Sequence, residues 1–173
     1  MLFRSTTDDT SAINSAISAV DETGLVIFPP GVYLITGLAP TRTINLVGLS
    51  QRTEPEETTP LGAVLKSDTD AVILDFSSTS AAGSSVRNIG IEGSGNVAHT
   101  SQVGIKIGCN SLDLHDVNVY STGADGIEIN HMNISRWYTV KVQNALGHGI
   151  HVNQTTAIAD NTIVGLQVDT IST

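Results

Sequence analysis

The sequence predicts an all-β solenoid: a parallel β-helix of short stacked strands, closed at its N-terminal end by an α-helix. Three observations predict it. The phrase Gly-Ile-x-(Ile/Val) recurs at Gly104-Ile105-Lys106-Ile107, Gly126-Ile127-Glu128-Ile129 and Gly149-Ile150-His151-Val152, with its glycines 22 and 23 positions apart. A second phrase runs in phase with it: Ile89-Gly90-Ile91, Val117-Asn118-Val119, Val140-Lys141-Val142 and Val164-Gly165-Leu166, at spacings of 28, 23 and 24. Charged residues are only 14% of the chain and aromatics 4%, with Gly, Ser, Thr and Asn abundant instead. A fixed period of this length marks a repeat whose units bury their apolar faces only by stacking. Alternation of apolar and polar residues is the period of a strand with one buried face. A repeat this short holds two or three strands and has no room for paired helices.

The elements follow in order. Met1-Leu2-Phe3-Arg4-Ser5 is too short for a signal peptide and reads as the ragged start of a truncated reading frame. Thr7 to Val20 reads as the capping helix, with Thr7 or Asp8 as N-cap and Asp8 and Asp9 at the positive end of its dipole. Ile13, Ala16, Ile17 and Val20 form one apolar stripe, and Gly24 ends it. Residues 25–85 read as the first, irregular rungs. Leu25–Phe28 is a strand, Pro29-Pro30-Gly31 a turn, and Val32–Ile35 and Thr43–Leu49 are further strands. An exposed acidic loop is expected over 51–60, then strands at Ala63–Leu65 and Ala71–Phe76, then a small-residue linker from Ser77 to Ser85. Residues 86–173 read as regular rungs. There the repeated glycine is expected to serve the unusual backbone angles of a corner. Asp113, His115 and Asp116 read as turn residues ahead of Val117. Trp137 aligns with inward Leu114 and reads as core. The chain reaches Thr173 without a cap, so one β-helix domain over 1–173, truncated at both ends or covered by another chain, is the expectation.

Composition narrows function. The net charge is −9 with only 8 Lys and Arg, which argues against nucleic acid as a partner. No run is apolar for long enough to predict a membrane span. The single cysteine, Cys109, excludes an intrachain disulfide or a multi-cysteine metal site and reads as a small residue near a corner.

The segment Thr7-Asp8-Asp9-Thr10-Ser11-Ala12-Ile13, followed by Val26-Ile27-Phe28-Pro29-Pro30-Gly31-Val32-Tyr33, resembles the opening of pectate-lyase-superfamily proteins. There an Asp-Asp-Thr-x-Ala-Ile helix caps the coil and a Val-x-Phe-Pro-x-Gly-x-Tyr strand and turn opens it. The Gly-Asp-Gly that usually precedes this opening has no counterpart in Met1 to Thr6. The resemblance implies a single-stranded right-handed parallel β-helix, a polysaccharide partner and an extracellular location, secreted or on a virion surface. It spans pectin hydrolases, lyases, alginate epimerases and phage tailspikes, the last implying a homotrimer.

Stacked rungs place equivalent residues about 4.8 Å apart. Two columns then concentrate chemistry. Asp125 and His148 each precede a repeated glycine; Lys106, Glu128 and His151 are the outward residues between paired apolar ones. Carboxylates and imidazoles on one face suit general acid–base work on a sugar. Ala124-Asp125-Gly126-Ile127-Glu128-Ile129 is similar to the Asn-Thr-Asp-Gly-Ile-Asp-Ile element of polygalacturonase-type glycosidases, and Gly147-His148-Gly149 to their Gly-His-Gly. The resemblance implies Asp125 as acid or base and His148 as its orienting partner. Gly123-Ala124 stands where those enzymes have Asn-Thr, the intervening rung with paired Asp is missing, and no Arg-x-Lys clamp follows. An inverting hydrolase needs two carboxyls about 6.5–9.5 Å apart, and only Asp125 with Glu128 offers such a pair.

The catalytic candidates are therefore Asp125, His148, Glu128 and His151; the substrate-binding candidates are Lys106, His131 and Arg136. No metal-ligand spacing is present, and no cofactor is expected, with Ca2+ entering only for a lyase. The expected activity is cleavage of an acidic glycan, a uronic-acid polymer, by hydrolysis or β-elimination. The rival expectation is a non-catalytic structural or glycan-binding β-helix. Clustering of the four candidates would favour the enzyme, and a flat solvated ladder the rival.

Overall fold

The computed structural model describes residues 3–50, 62–153 and 159–169. The acidic loop expected over 51–60 lies outside them. The elements are β1 (Phe3–Asp8), α1 (Thr10–Ala19), β2 (Gly24–Phe28), β3 (Gly31–Leu34), β4 (Ile44–Gly48), β5 (Ala63–Lys66), β6 (Leu74–Phe76), β7 (Ser85–Arg87), β8 (Ile89–Glu92), β9 (Ile105–Ile107), β10 (Asp113–Tyr120), β11 (Ile127–Ile129), β12 (Arg136–Gln143), β13 (Ile150–Val152), β14 (Thr162–Val164) and β15 (Gln167–Asp169).

The named strands pair in parallel, each with its counterpart one repeat away. β6, β9, β11 and β13 form a four-stranded sheet, with Leu74, Ile105, Ile127 and Ile150 in one row. The other eleven form a sheet that is bent along its length. The first half of β10 pairs with β7 and its second half with β8; β12 divides in the same way between β14 and β15. The bend runs through Asn88, Asp116, Thr139 and Gly165, which have φ of 55°, 53°, 54° and 68°. At this bend one left-handed residue in each repeat turns the strand while its neighbours keep their ladder bonds. Asp113 and His115 are accordingly strand residues rather than the turn expected, and Asp116 alone makes the turn.

Inward side chains stack by type. Leu46, Val86, Leu114 and Trp137 form one buried row, and Ile91, Val119 and Val142 another. Each buried aliphatic contributes about 1.5–3 kcal/mol, so a short repeat of few strands is held by the number of its layers. Ile13 and Ile17 of α1 join this core and close its N-terminal end. The helix starts at Thr10, later than expected, because Phe3–Asp8 is drawn out as β1 to pair with β3. Asp9 is the N-cap, and the Asp8 carboxylate accepts the Thr10 amide at 2.8 Å. The 77–85 linker contains one 3₁₀ turn, Thr79–Ala81, and passes into β7.

The repeated glycines serve packing. Gly104, Gly126 and Gly149 are absent from the left-handed residues. A Cβ on each would lie 2.3 Å from a valine Cγ1, of Val119, Val142 and Val168 respectively. The expectation of special corner angles is corrected: glycine is required because the strand two segments on presses a methyl group against its Cα.

The connection from β8 to β9 is longer than those from β10 to β11 and from β12 to β13. Gln102, fully buried, holds it. Its Nε2 donates to Ser67 O at 3.0 Å and Thr69 O at 2.7 Å, and its Oε1 accepts from Ser94 N at 2.9 Å and Gly123 N at 3.1 Å. One side chain thus ties three rungs with every amide position used.

One stability prediction and one reactivity prediction arise from this architecture. Ile134 has φ of 56° and is 52% exposed. A β-branched residue in the left-handed region is strained by about 1–3 kcal/mol, and Asn adopts that region more readily. Ile134→Asn is expected to raise stability by about 1 kcal/mol, read as a higher Tm; an unchanged or lower Tm would contradict the strain. Cys109 is buried, and burial pushes its thiol up to about 11. Because the thiolate is the nucleophile, Cys109 should resist iodoacetamide at mildly alkaline pH in the native protein and react promptly in denaturant. Equal rates in both states would show that the site opens freely.

Candidate functional site

The middle residue of each three-residue strand in the four-stranded sheet points outward, because the residues on either side point in. Register therefore builds an outer row of Asp75, Lys106, Glu128 and His151. Asp75 belongs to this row although the glycine phrase that marks the later rungs does not reach it. Lys106 Nζ lies 3.3 Å from Glu128 Oε1, an ion pair between adjacent rungs.

Asp125 and His148 sit at the corner leading into this sheet, one rung apart. Backbone bonds fix that corner: Gly104 N donates to Asp125 O at 3.1 Å, and Gly126 N to His148 O at 2.8 Å. The Asp125 side chain reaches along the stack to the following rung. Its Oδ1 accepts the His148 backbone N–H at 2.7 Å and lies 3.0 Å from His148 Nδ1. Its Oδ2 lies 2.7 Å from His151 Nδ1. The two imidazoles are 4.7 Å apart between centroids and tilted by 34°. Side-chain exposure rises from 14% at Asp125 to 38% at His151 and 69% at His148, so the carboxylate forms the floor and the rings the lip. Burial works against the Asp125 charge, but the His148 amide and both imidazoles outweigh it and hold the carboxyl below the usual range.

Gly147 is a part of this site that sequence reading passed over. A Cβ there would lie 2.5 Å from Asp125 Oδ1, so the missing side chain leaves room for the carboxylate. Its signal was the first glycine of Gly147-His148-Gly149.

The structure thus brings together Asp125, His148 and His151. It places Glu128 in register beside His151 but paired to Lys106. It does not gather the expected binding residues. His131, after β11, has its Nε2 2.7 Å from Asn110 Oδ1. Arg136 opens β12 on the other sheet, where its amide donates to Asp113 Oδ1 at 3.2 Å. Trp137 is buried, while Tyr138 is half-exposed with its ring 5.5 Å from that of His115. Ca2+ takes six to eight oxygen ligands, and a trio of one carboxylate and two imidazoles does not fit it.

Residues 5–171 match the family described as rhamnogalacturonase A/epimerase, pectate lyase-like. Among solved structures, ORF18 of Geobacillus virus E2 superposes with a TM-score of 0.67 at 17% identity, covering 93% of this chain and 39% of that one. This chain therefore spans well under half of the phage protein. A "putative glycosyl hydrolase" from Parabacteroides merdae superposes with a TM-score of 0.56 at 15% identity, covering 94% of this chain and 92% of that one. At such identities the likeness is one of fold. No curated protein matches the chain.

Proposed function

The chain belongs to the rhamnogalacturonase A/epimerase, pectate lyase-like family, and from that membership we propose that it is a single-domain, single-stranded right-handed parallel β-helix that cleaves an acidic glycan outside the cell. The observation that carries the reading is the Asp125 carboxylate held 2.7 Å from His151 Nδ1 and 3.0 Å from His148 Nδ1 on an outer face. Hydrolysis and β-elimination both ask for an acid and a base, at different spacings. In hydrolysis a protonated imidazole gives a proton to the departing sugar oxygen, and Glu128, the next residue along the outer row, takes one from the water whose oxygen bonds to the anomeric carbon, with Asp125 orienting the donor it touches. In β-elimination Asp125 takes the proton beside the uronate carboxylate, the new C=C forms as the C–O bond breaks, and the imidazole gives its proton to the leaving oxygen. His148, at the lip, is the proposed donor and His151 its orienting neighbour. Lys106 places positive charge on the row beside them for a uronate, with Glu128 as its partner. His131 lies on the connection after β11 and Arg136 on the other sheet, so the reading does not rely on either for binding.

Incubation with polygalacturonate, rhamnogalacturonan and alginate tests this. Release of reducing ends alone indicates hydrolysis, and unsaturated products indicate elimination. Absence of both on all three polymers sinks the enzymatic reading.

A second reading rests on the likeness to the phage ORF18 protein and on the outward ion pair of Lys106 with Glu128 on adjacent rungs. It is a non-catalytic, glycan-binding segment of a virion spike, assembled as a trimer. Light scattering would then give three times the chain mass, and glycan would be bound without being cut.

A further inference from the structure

We propose that Asp125, His148 and His151 form a binding site for one divalent transition-metal cation of the zinc class, bound through two imidazole nitrogens and one carboxylate oxygen. The proposal concerns the ligand set itself and holds whether or not the site cleaves a glycan.

One donor atom from each of the three residues lies within 4.8 Å of the other two. Two imidazoles and a carboxylate are the ligand set that zinc sites with an open position use, and it suits the borderline cations from cobalt to zinc better than magnesium or calcium. The spacing is close to what such a cation needs. With metal–ligand bonds of about 2.0–2.1 Å, tetrahedral donors sit about 3.4 Å apart. Asp125 Oδ1 is 3.0 Å from His148 Nδ1, and Oδ2 is 2.7 Å from His151 Nδ1. A cation in place of the protons shared there takes one of these oxygens and both neutral rings: the contacts open by about 0.4–0.7 Å, and rotation of the exposed His148 ring brings its nitrogen around to the same oxygen. Two of the ligands are fixed and one is adaptable. Asp125 is locked by the corner bonds, and His151 lies in β13, while the exposed His148 ring has room to turn. Solvent reaches the site over the two rings, leaving the remaining coordination positions to water or a ligand oxygen. The glycine at 147 keeps backbone, rather than side chain, beside the carboxylate.

The donors come from two rungs, 23 residues apart at the corner, and this is why no local ligand spacing announced them. His115 with Asp116 offers an internal control. Its Nδ1–Oδ2 distance is 2.8 Å, but the pair is not part of a three-ligand group among the described residues.

Isothermal titration of the metal-free chain with ZnCl2, and of a parallel sample with CoCl2 followed by visible absorption, tests the site without any polysaccharide. One equivalent should bind, and Co2+ should develop the bands of a nitrogen- and oxygen-ligated ion. Asp125→Asn and His151→Ala should each weaken binding at least ~10-fold, while His115→Ala leaves it unchanged. Absence of binding to the folded wild type, or equal binding by wild type and His151→Ala, overturns the proposal. Glycan cleavage assayed in EDTA separates the two readings of these residues. The binding titration alone decides the metal site, and cleavage in EDTA alone decides whether catalysis uses it.

Discussion

Asp125→Asn is expected to lower the rate of glycan cleavage by about 10²–10⁴-fold, the range that a positioned acid or base contributes. The substitution is nearly isosteric, so the effect is chemical. An Asn carbonyl still accepts the His148 amide, which Asp125 now does at 2.7 Å. What it loses is the charge that faces two imidazoles and the capacity to take a proton. The variant should retain its far-UV circular dichroism and a cooperative melt. A folded variant with wild-type rates would remove Asp125 from the mechanism. If the spike reading is correct instead, both proteins bind glycan and neither cuts it, and the assay separates the cases without further mutants.

Gly126→Ala is expected to produce a large loss of stability for a single added methyl group, about 3 kcal/mol or more. The added carbon would lie 2.3 Å from Val142 Cγ1 and 2.7 Å from Gly149 O. One obstacle is a buried side chain with a stiff χ1, and the other is the backbone of the next rung. Neither retreats without moving its neighbours, and overpacking of this kind costs about 1–3 kcal/mol even where the surroundings yield. Denaturant unfolding checks it through the shift in midpoint. The double variant Gly126→Ala with Val142→Ala tests the cause: it should recover part of the loss if the valine methyl is the obstacle and none if the carbonyl alone is.

How far these features were legible depends on the distance over which each is determined. Strand stacking was legible because Gly-Ile-x-Ile and its partner phrase are local patterns repeated in phase, and the register of Ile105, Ile127 and Ile150 follows from matching copies. The outer row of Lys106, Glu128 and His151 follows by the same route. The reason for the glycines was not legible, because Val119, Val142 and Val168 approach them from a different strand. Nor was the start of α1: Thr7 and Asp8 read as caps, and only pairing of β1 with β3 moves the cap to Asp9. At the site, the column argument placed Asp125 and His148 together. That Asp125 would also meet His151, and that Glu128 would turn to Lys106, depends on side-chain direction, which periodicity does not encode.

The Gln102 staple has a consequence for how such a molecule changes over evolutionary time. The connection it holds lies one rung before the corner of Asp125, and Ala124 N donates to the Gln102 backbone carbonyl at 3.0 Å. The ladder bonds of β8 and β9 are unaffected by how many residues pass between them, since register is set inside the strands. Insertions or deletions between Ser94 and Gln102 change the loop that packs against Gly123 and leave the rungs as they are. Loop shape and architectural stability are thereby encoded in separate stretches of the gene, and a lineage can rewrite one while inheriting the other intact.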